Sequence, residues 1–193
     1  MDLITLVRER EARAGAEIGV WRGATSFRLL TECPLLEKLY LVDPWLMSRI
    51  HFVVPLSQIL PPRMPKGFYS NTMGEENITQ TGLEDMYQAV LHRVAEEFPT
   101  RAIILRRPST RAAWYVAPMS LDFVYIDAIH LYPEVMADLF AWAPKLKAGG
   151  LLTGDDWGSE FPGVERAVRE FADLYEITPH QESGGFWWMP IKA

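Results

Sequence analysis

Residues 121–157 read LDFVYIDAIHLYPEVMADLFAWAPKLKAGGLLTGDDW. Leu121–Asp127 is a short run rich in aromatic and β-branched residues, the pattern of a buried strand. Pro133 then stands in the favoured first turn of a helical pattern running to Leu146, with Gly149-Gly150 just past its end. Gly150–Thr153 is a second apolar run. A strand, a helix and a strand in so short a span make a βαβ unit, whose two strands run parallel. Both strands end in acid, the first at Asp127 and the second at Asp155-Asp156.

The same alternation extends outward in both directions. Strands are predicted at Ala16–Val20, Leu39–Asp43 and Ala102–Leu105. A helix over Ala24–Glu32 is stopped by Pro34. Another over Gly163–Leu174 carries Val164, Ala167, Val168, Phe171 and Leu174 at helical spacing. Thr81 and Glu84 have the spacing of a capping box. From Leu83 onward Met86, Tyr87, Val90, Leu91, Val94 and Phe98 form one apolar stripe. Near the C-terminus, Glu176–Ser183 and Phe186–Ile191 flank Gly184-Gly185 and read as an antiparallel hairpin. The expected fold is therefore α/β: a Rossmann-like, seven-stranded, mostly parallel sheet with an antiparallel C-terminal hairpin and helices on both faces. Residues 1–193 are expected to form a single domain. Between 46 and 80 the prolines and glycines break every period, so a lid-like insertion is expected there.

Composition narrows the function classes. The 193 residues are 49% hydrophobic and 23% charged, with a net charge of −6. That balance offers no basic field for nucleic acid or acidic lipid. Cys33 is the single cysteine, which excludes an intrachain disulfide and a cysteine-built zinc site, and suggests a reducing, cytoplasmic setting. The N-terminal MDLITLVRERE is too short for a signal sequence. No apolar run approaches the roughly 20 residues of a membrane span, so a soluble protein is expected.

In parallel α/β sheets, ligands bind at the carboxyl ends of the strands. The first strand ends in Glu17-x-Gly19-x-x-x-Gly23. This is not the G-x-G-x-x-G of dinucleotide binding, and Gly19 could equally serve a tight turn. Asp43 follows Gly23 at the offset of about 20 residues where an acid accepts from ribose hydroxyls, or is a solvated Asp before Pro44. Together these imply a nucleoside-bearing cofactor without a diphosphate grip. His130, just past Asp127, is a candidate general base because its pKa lies near working pH; the competing reading is a structural histidine. His92 falls on the helix expected over 83–98, and His51 and His180 match no motif.

The segments AEIGVWRG, KLYLVDPW, LDFVYIDAIHLYPEVMADL, WAPKLKAGGLLTGDDW, FPGVERAVREF and the late FWW together resemble class I S-adenosylmethionine-dependent methyltransferases, in the branch related to sugar and macrolide O-methyltransferases. The resemblance implies that Glu17, Gly19 and Gly23 face the methionine end of the cofactor. It implies that Asp43 takes the ribose diol, Trp45 covers the adenine face and Ser109 lies near the adenine; Pro108 departs from the family pattern. It implies methyl transfer to a hydroxyl of a sugar, glycan or natural product, with His130 and Asp127 as the catalytic pair. Some such enzymes use a divalent cation such as Mg²⁺, for which Asp127, Asp155 and Asp156 would be ligands, and others use none. The sugar-methylating relatives more often carry Gly-His-Asp where this chain has Gly154-Asp155-Asp156. Asp138 also matches a family position and is expected to anchor a loop. The expected partner is a small molecule or glycan rather than nucleic acid or membrane, with a monomer and a homodimer both open. The alternatives are an NAD-type oxidoreductase and a non-catalytic cofactor-binding module.

Overall fold

The computed structural model describes residues 1–46, 79–158 and 160–192. Most of the expected lid-like insertion, and His51, lie outside the described residues. In chain order the elements are α1 (Leu3–Glu9), β1 (Ala14–Ile18), α2 (Ala24–Glu32), β2 (Lys38–Val42), α3 (Gln80–Glu97), β3 (Ala102–Leu105), α4 (Ser109–Ala112), β4 (Leu121–Ile126), α5 (Tyr132–Trp142), β5 (Leu146–Gly154), α6 (Pro162–Leu174), β6 (His180–Gln181) and β7 (Trp187–Pro190).

The seven strands form one sheet in the order β3-β2-β1-β4-β5-β7-β6. β1, β2, β3, β4 and β5 are parallel. β7 runs antiparallel to β5 and to β6, so the Gly184-Gly185 hairpin is present with shorter strands than the sequence suggested. Alternation along each strand splits the core into two layers. Leu39 and Leu41 of β2 and Phe123 of β4 face α1, α2 and α3. Val42, Val124 and Ile126 face α4, α5 and α6. Each fully buried aliphatic or aromatic side chain in these layers contributes about 1.5–3 kcal/mol.

The structure adds one helix and corrects three expectations. α1, not predicted as a helix, buries Leu3, Ile4, Leu6 and Val7 and is capped by Asp2, whose carboxylate accepts from Thr5 N. α3 starts two residues earlier than the Thr81–Glu84 pattern implied. Its cap is Thr79, which accepts from Gly82 N at 3.0 Å, and Glu84 instead pairs with Arg106. Leu91 falls outside the α3 stripe and is exposed, while Leu83, Val90 and Val94 are buried; Leu91 sits about 100° around the helix from Val90. The helix over 133–146 ends at Trp142, and Pro144 lies in the 3-10 turn that follows it. Gly149-Gly150 is then not a helix stop. It lies within β5, where Gly149 takes φ 76° and the register to β4 shifts between Leu121 and Phe123. That is the place a glycine has in a bulge.

Candidate active site

Strand register brings the candidate residues together. Ile18 of β1 pairs with Val42 of β2 and with Ile126 of β4. Val42 in turn pairs with Leu105, and Ile126 with Gly154. The next residue along each strand is therefore Arg106, Asp43, Gly19, Asp127 and Asp155, a row across the carboxyl edge of the sheet. The row spans the boundary between β1 and β4, on either side of which the crossovers diverge, and such a switch point is where ligands bind in sheets of this kind. Three of its five members are carboxylates. Arg106 was not singled out in the sequence, because only strand pairing shows that it is level with Asp43.

The glycine loop follows β1. Gly19 has φ 94°, and a Cβ there would lie 1.9 Å from the Asp127 carbonyl oxygen, so the first and fourth strand ends can touch only through a glycine. Gly23 has φ 77° at the N-cap of α2, which has no side-chain cap; a Cβ there would meet the Phe27 ring. Glu17 does not open onto this loop. It is 2% exposed, and its carboxylate accepts from the Ser26 hydroxyl on α2. Burial, opposed by that bond and reinforced by Asp127 and Asp43, pushes its pKa well above the usual carboxylate range. Glu17 thus ties β1 to the first turn of α2, with Ser26 as a partner that the E-x-G spacing did not reveal.

Asp43 sits between two loops. Its Oδ2 accepts from Val20 N at 3.1 Å and Trp21 N at 2.9 Å, and its Oδ1 from Trp45 N at 2.7 Å. Burial raises its pKa, with the three backbone bonds and nearby Arg106 acting the other way. Trp45 is 1% exposed. Its indole N–H donates to Trp21 O at 2.9 Å, and its ring packs against Tyr87. No face of the indole is open, so the expected cover over an adenine is not available from Trp45 in this arrangement. Arg106 stacks on the other aromatic of the group, 4.0 Å from the Tyr87 ring centre. Ser109, at the start of α4, accepts from the Trp142 indole at 2.8 Å. It also hydrogen-bonds Asp138, whose pKa burial raises to about 7 against the pull of that bond, with Glu134 adding to the rise. Asp138 anchors the loop after β3, as expected.

On the other side of the glycine loop the acidic residues divide. His130 Nε2 lies 2.7 Å from Asp156 Oδ2 and 3.4 Å from Asp127 Oδ1. Burial opposes protonation of His130, but the two carboxylates outweigh it and raise the pKa to about 9. At neutral pH the ring is then an imidazolium bridging two carboxylates. The Phe161 ring packs on it at 4.4 Å. Gly163, in the first turn of α6, lies so close that a Cβ would come 2.8 Å from His130 O. Asp155 is turned elsewhere: its Oδ1 accepts from Asp156 N at 2.9 Å, and the Tyr125 hydroxyl lies 3.3 Å from its Oδ2. Asp156 has φ 64°, which points the two neighbouring side chains apart. The Tyr125 hydroxyl is also 3.4 Å from Asp127, and burial beside Asp127 and Asp155 raises its pKa.

One oxygen or nitrogen each from Asp127, His130 and Asp156 lie within 4.8 Å of one another and could ligate a metal ion. The sequence expectation of Asp127, Asp155 and Asp156 thus becomes, among the described residues, a trio in which His130 takes the place of Asp155. His92 lies exposed on α3 beside Glu96. His180 stacks on Trp188.

Residues 16–157 match the profile of a family described as a methyltransferase domain. No curated protein matches the chain. Among solved structures, the chain is similar to the O-methyltransferase from Bacillus cereus in complex with SAH, at 15% identity over 99% of this chain and 79% of that one, with a TM-score of 0.60. It is also similar to the O-methyltransferase TomG from Streptomyces achromogenes, involved in tomaymycin synthesis and solved in complex with SAM. There the identity is 19%, over 99% of this chain and 78% of that one, and the TM-score is 0.54. These are likenesses of fold.

Proposed function

Belonging to the methyltransferase domain family, this chain is an S-adenosylmethionine-dependent methyltransferase, and we propose that it methylates a hydroxyl oxygen of a sugar, glycan or related natural product with the help of a divalent cation. The observation that carries this reading is the row of strand ends, in which Asp43, Asp127 and Asp155 present negative charge on both sides of Gly19. A negatively charged strand edge with a glycine at its centre suits a cofactor that carries a sulfonium and an ammonium.

S-adenosylmethionine, when bound, supplies an electrophilic methyl group on a positively charged sulfur. The chain's own part is to align the acceptor oxygen with that methyl and to take up the acceptor's proton. Gly19 and Gly23 let backbone rather than side chain line the methionine end, Asp43 serves the ribose, and Ser109 serves the adenine side. Glu17 acts beneath the loop, holding Ser26. His130 and Asp127 stand together where the proton is handled, His130 accepting it only in its neutral form. Hard divalent cations take oxygen ligands and tolerate an imidazole. Asp127, Asp156 and His130, the last after releasing the proton it carries at neutral pH, would hold such an ion, which when bound would orient an acceptor hydroxyl and lower its pKa. Asp155 supports them through Tyr125 and the Asp156 backbone.

The test is a panel of sugar, glycoside and phenolic natural-product acceptors incubated with S-adenosylmethionine, each in Mg²⁺ and in EDTA. Products heavier by one methylene with at least one hydroxyl acceptor, formed in Mg²⁺ and lost in EDTA, are expected. Full transfer in chelator would remove the cation from the reading and leave Asp127 and His130 as a metal-free pair. Binding of NADH without binding of S-adenosylmethionine would sink the whole assignment.

A further inference from the structure

In the helical layer built of α4, α5 and α6, α5 lies in the middle: Trp142 reaches Ser109 on one side, and the Phe140 ring meets Phe171 on the other. On both sides of α5 this layer leaves large apolar side chains in water. Beside α4 these are Trp114, which is 73% exposed, Tyr115 and Met119. The Met119 N–H donates to Pro144 O, just past the end of α5. Beside α6 they are Phe140, Leu174 and Tyr175, near the C-terminal ends of α5 and α6. Leu174 has the spacing of the α6 stripe, yet it is 65% exposed while Val164, Ala167, Val168 and Phe171 are buried. Single exposed apolar residues are ordinary, but groups of large ones mark docking surfaces.

The two groups carry opposite charge. Residues 105–120 contain Arg106, Arg107 and Arg111 and no acid. Arg106 is taken by Glu84. Arg107 and Arg111 are exposed, and their guanidinium groups lie 4.7 Å from the Tyr115 ring centre and 4.6 Å from that of Trp114. Residues 170–183 contain Glu170, Asp173, Glu176 and Glu182 and no Lys or Arg. Glu170 is taken by Arg166, and Glu182 by the Met1 amino group. That leaves Asp173 and Glu176, both exposed. Among the described residues, neither these two carboxylates nor the two stacked arginines have an ion-pair partner.

We propose that these two groups are the halves of one self-complementary interface, through which the chain pairs with a second copy of itself. A two-fold axis running along α5 lays the α4 side of each copy on the α6 side of the other. Trp114, Tyr115 and Met119 then meet Phe140, Leu174 and Tyr175, while Arg107 and Arg111 meet Asp173 and Glu176. By symmetry each contact is made twice. Aromatic residues, Met and Arg are the types enriched at the centre of interfaces. The arginines are already ordered on aromatic rings, so they lose less side-chain freedom on pairing. The occupant is a second copy because the surface carries its own complement, apolar group for apolar group and charge for charge. This pairing does not depend on the reaction assigned above.

The experiment is sedimentation equilibrium of the full chain over a range of concentrations. Wild type is expected to be dimeric by about 100 µM, where an interface of standard size is well populated. A monomer at that concentration, or a ladder of larger assemblies, overturns the proposal. Arg107→Glu with Arg111→Glu reverses one side, and Asp173→Arg with Glu176→Arg reverses the other. Each double variant should dissociate roughly tenfold more readily or worse, because like charges then face each other. An equimolar mixture of the two should recover dimers, since each reversed side again meets its opposite. Unchanged dimerisation of either variant, or no recovery in the mixture, overturns the pairing. If a charge-reversed chain does not fold, Trp114→Ala and Leu174→Ala decide. Each should weaken the dimer about tenfold, and an unchanged dissociation constant for both overturns the proposal.

Discussion

Asp155 and Asp156 are adjacent in the chain, yet they serve different partners. The left-handed φ of Asp156 sends one carboxylate to His130 and leaves the other beside Tyr125. His130 is the residue most affected. Its pKa of about 9 is set against burial by Asp127 and Asp156, so Asp156→Asn should lower it by on the order of one unit, read by NMR titration of the ring in metal-free protein. A stability term follows, with its sign fixed by linkage. The folded pKa lies above the unfolded value of about 6.5, so the contribution is complete below about pH 6.5 and is lost as the pH rises through about 9. Melting curves in EDTA should show that decline in wild type and a flatter profile for His130→Asn. Identical profiles would mean that the ion pairs do not form in solution. None of this was legible from Gly154-Asp155-Asp156, because a backbone dihedral, not a residue type, sorts the two side chains.

At the scale of elements, what matters is how helices hold the loops of the site. α5 does so for the loop after β3. Asp138 is 6% exposed and bonded to Ser109, and Trp142 from the same helix donates to Ser109 as well. Asp138 has a folded pKa of about 7 against 3.8. Its protonated form therefore favours the fold; the contribution is present below about pH 4 and lost as pH rises through about 7. Asp138→Asn, which keeps the bond without the charge, should remove that part of the decline in melting temperature between pH 4 and 7. A variant whose profile matches wild type would show that the carboxyl is not desolvated as described. α6 plays the matching part on the acidic side, where Gly163 allows its first turn to approach the His130 backbone. The sequence signals for α2, α5 and α6 rested on prolines and apolar spacing, and these elements appear within a few residues of expectation. The cap of α3 and the end of α5 were misplaced, because Thr79 competes with Thr81 and because Pro144 stops the helix before Gly149 can.

At the scale of the molecule, a net charge of −6 adds to the local field of the strand-end carboxylates. S-adenosylmethionine carries one more positive charge than S-adenosylhomocysteine, so its binding should weaken more steeply as salt rises. Calorimetry of both compounds from low to high ionic strength checks this, and equal slopes would argue that the carboxylates do not face the sulfonium. Among the described residues no helix is long and apolar enough to cross a membrane. The sequence by itself determined the alternation of strands and helices, the glycine loop, and the acids at the strand ends. It could do so because periodicity, prolines, glycines and charge act locally along the chain. Only the tertiary structure decided that Arg106 is level with Asp43, that Glu17 is sealed under α2, that Trp45 belongs to the core, and that His130 rather than Asp155 joins Asp127 and Asp156. Those outcomes depend on strand register and on which hydrogen-bond partners arrive from distant segments, and neither is encoded at any one position.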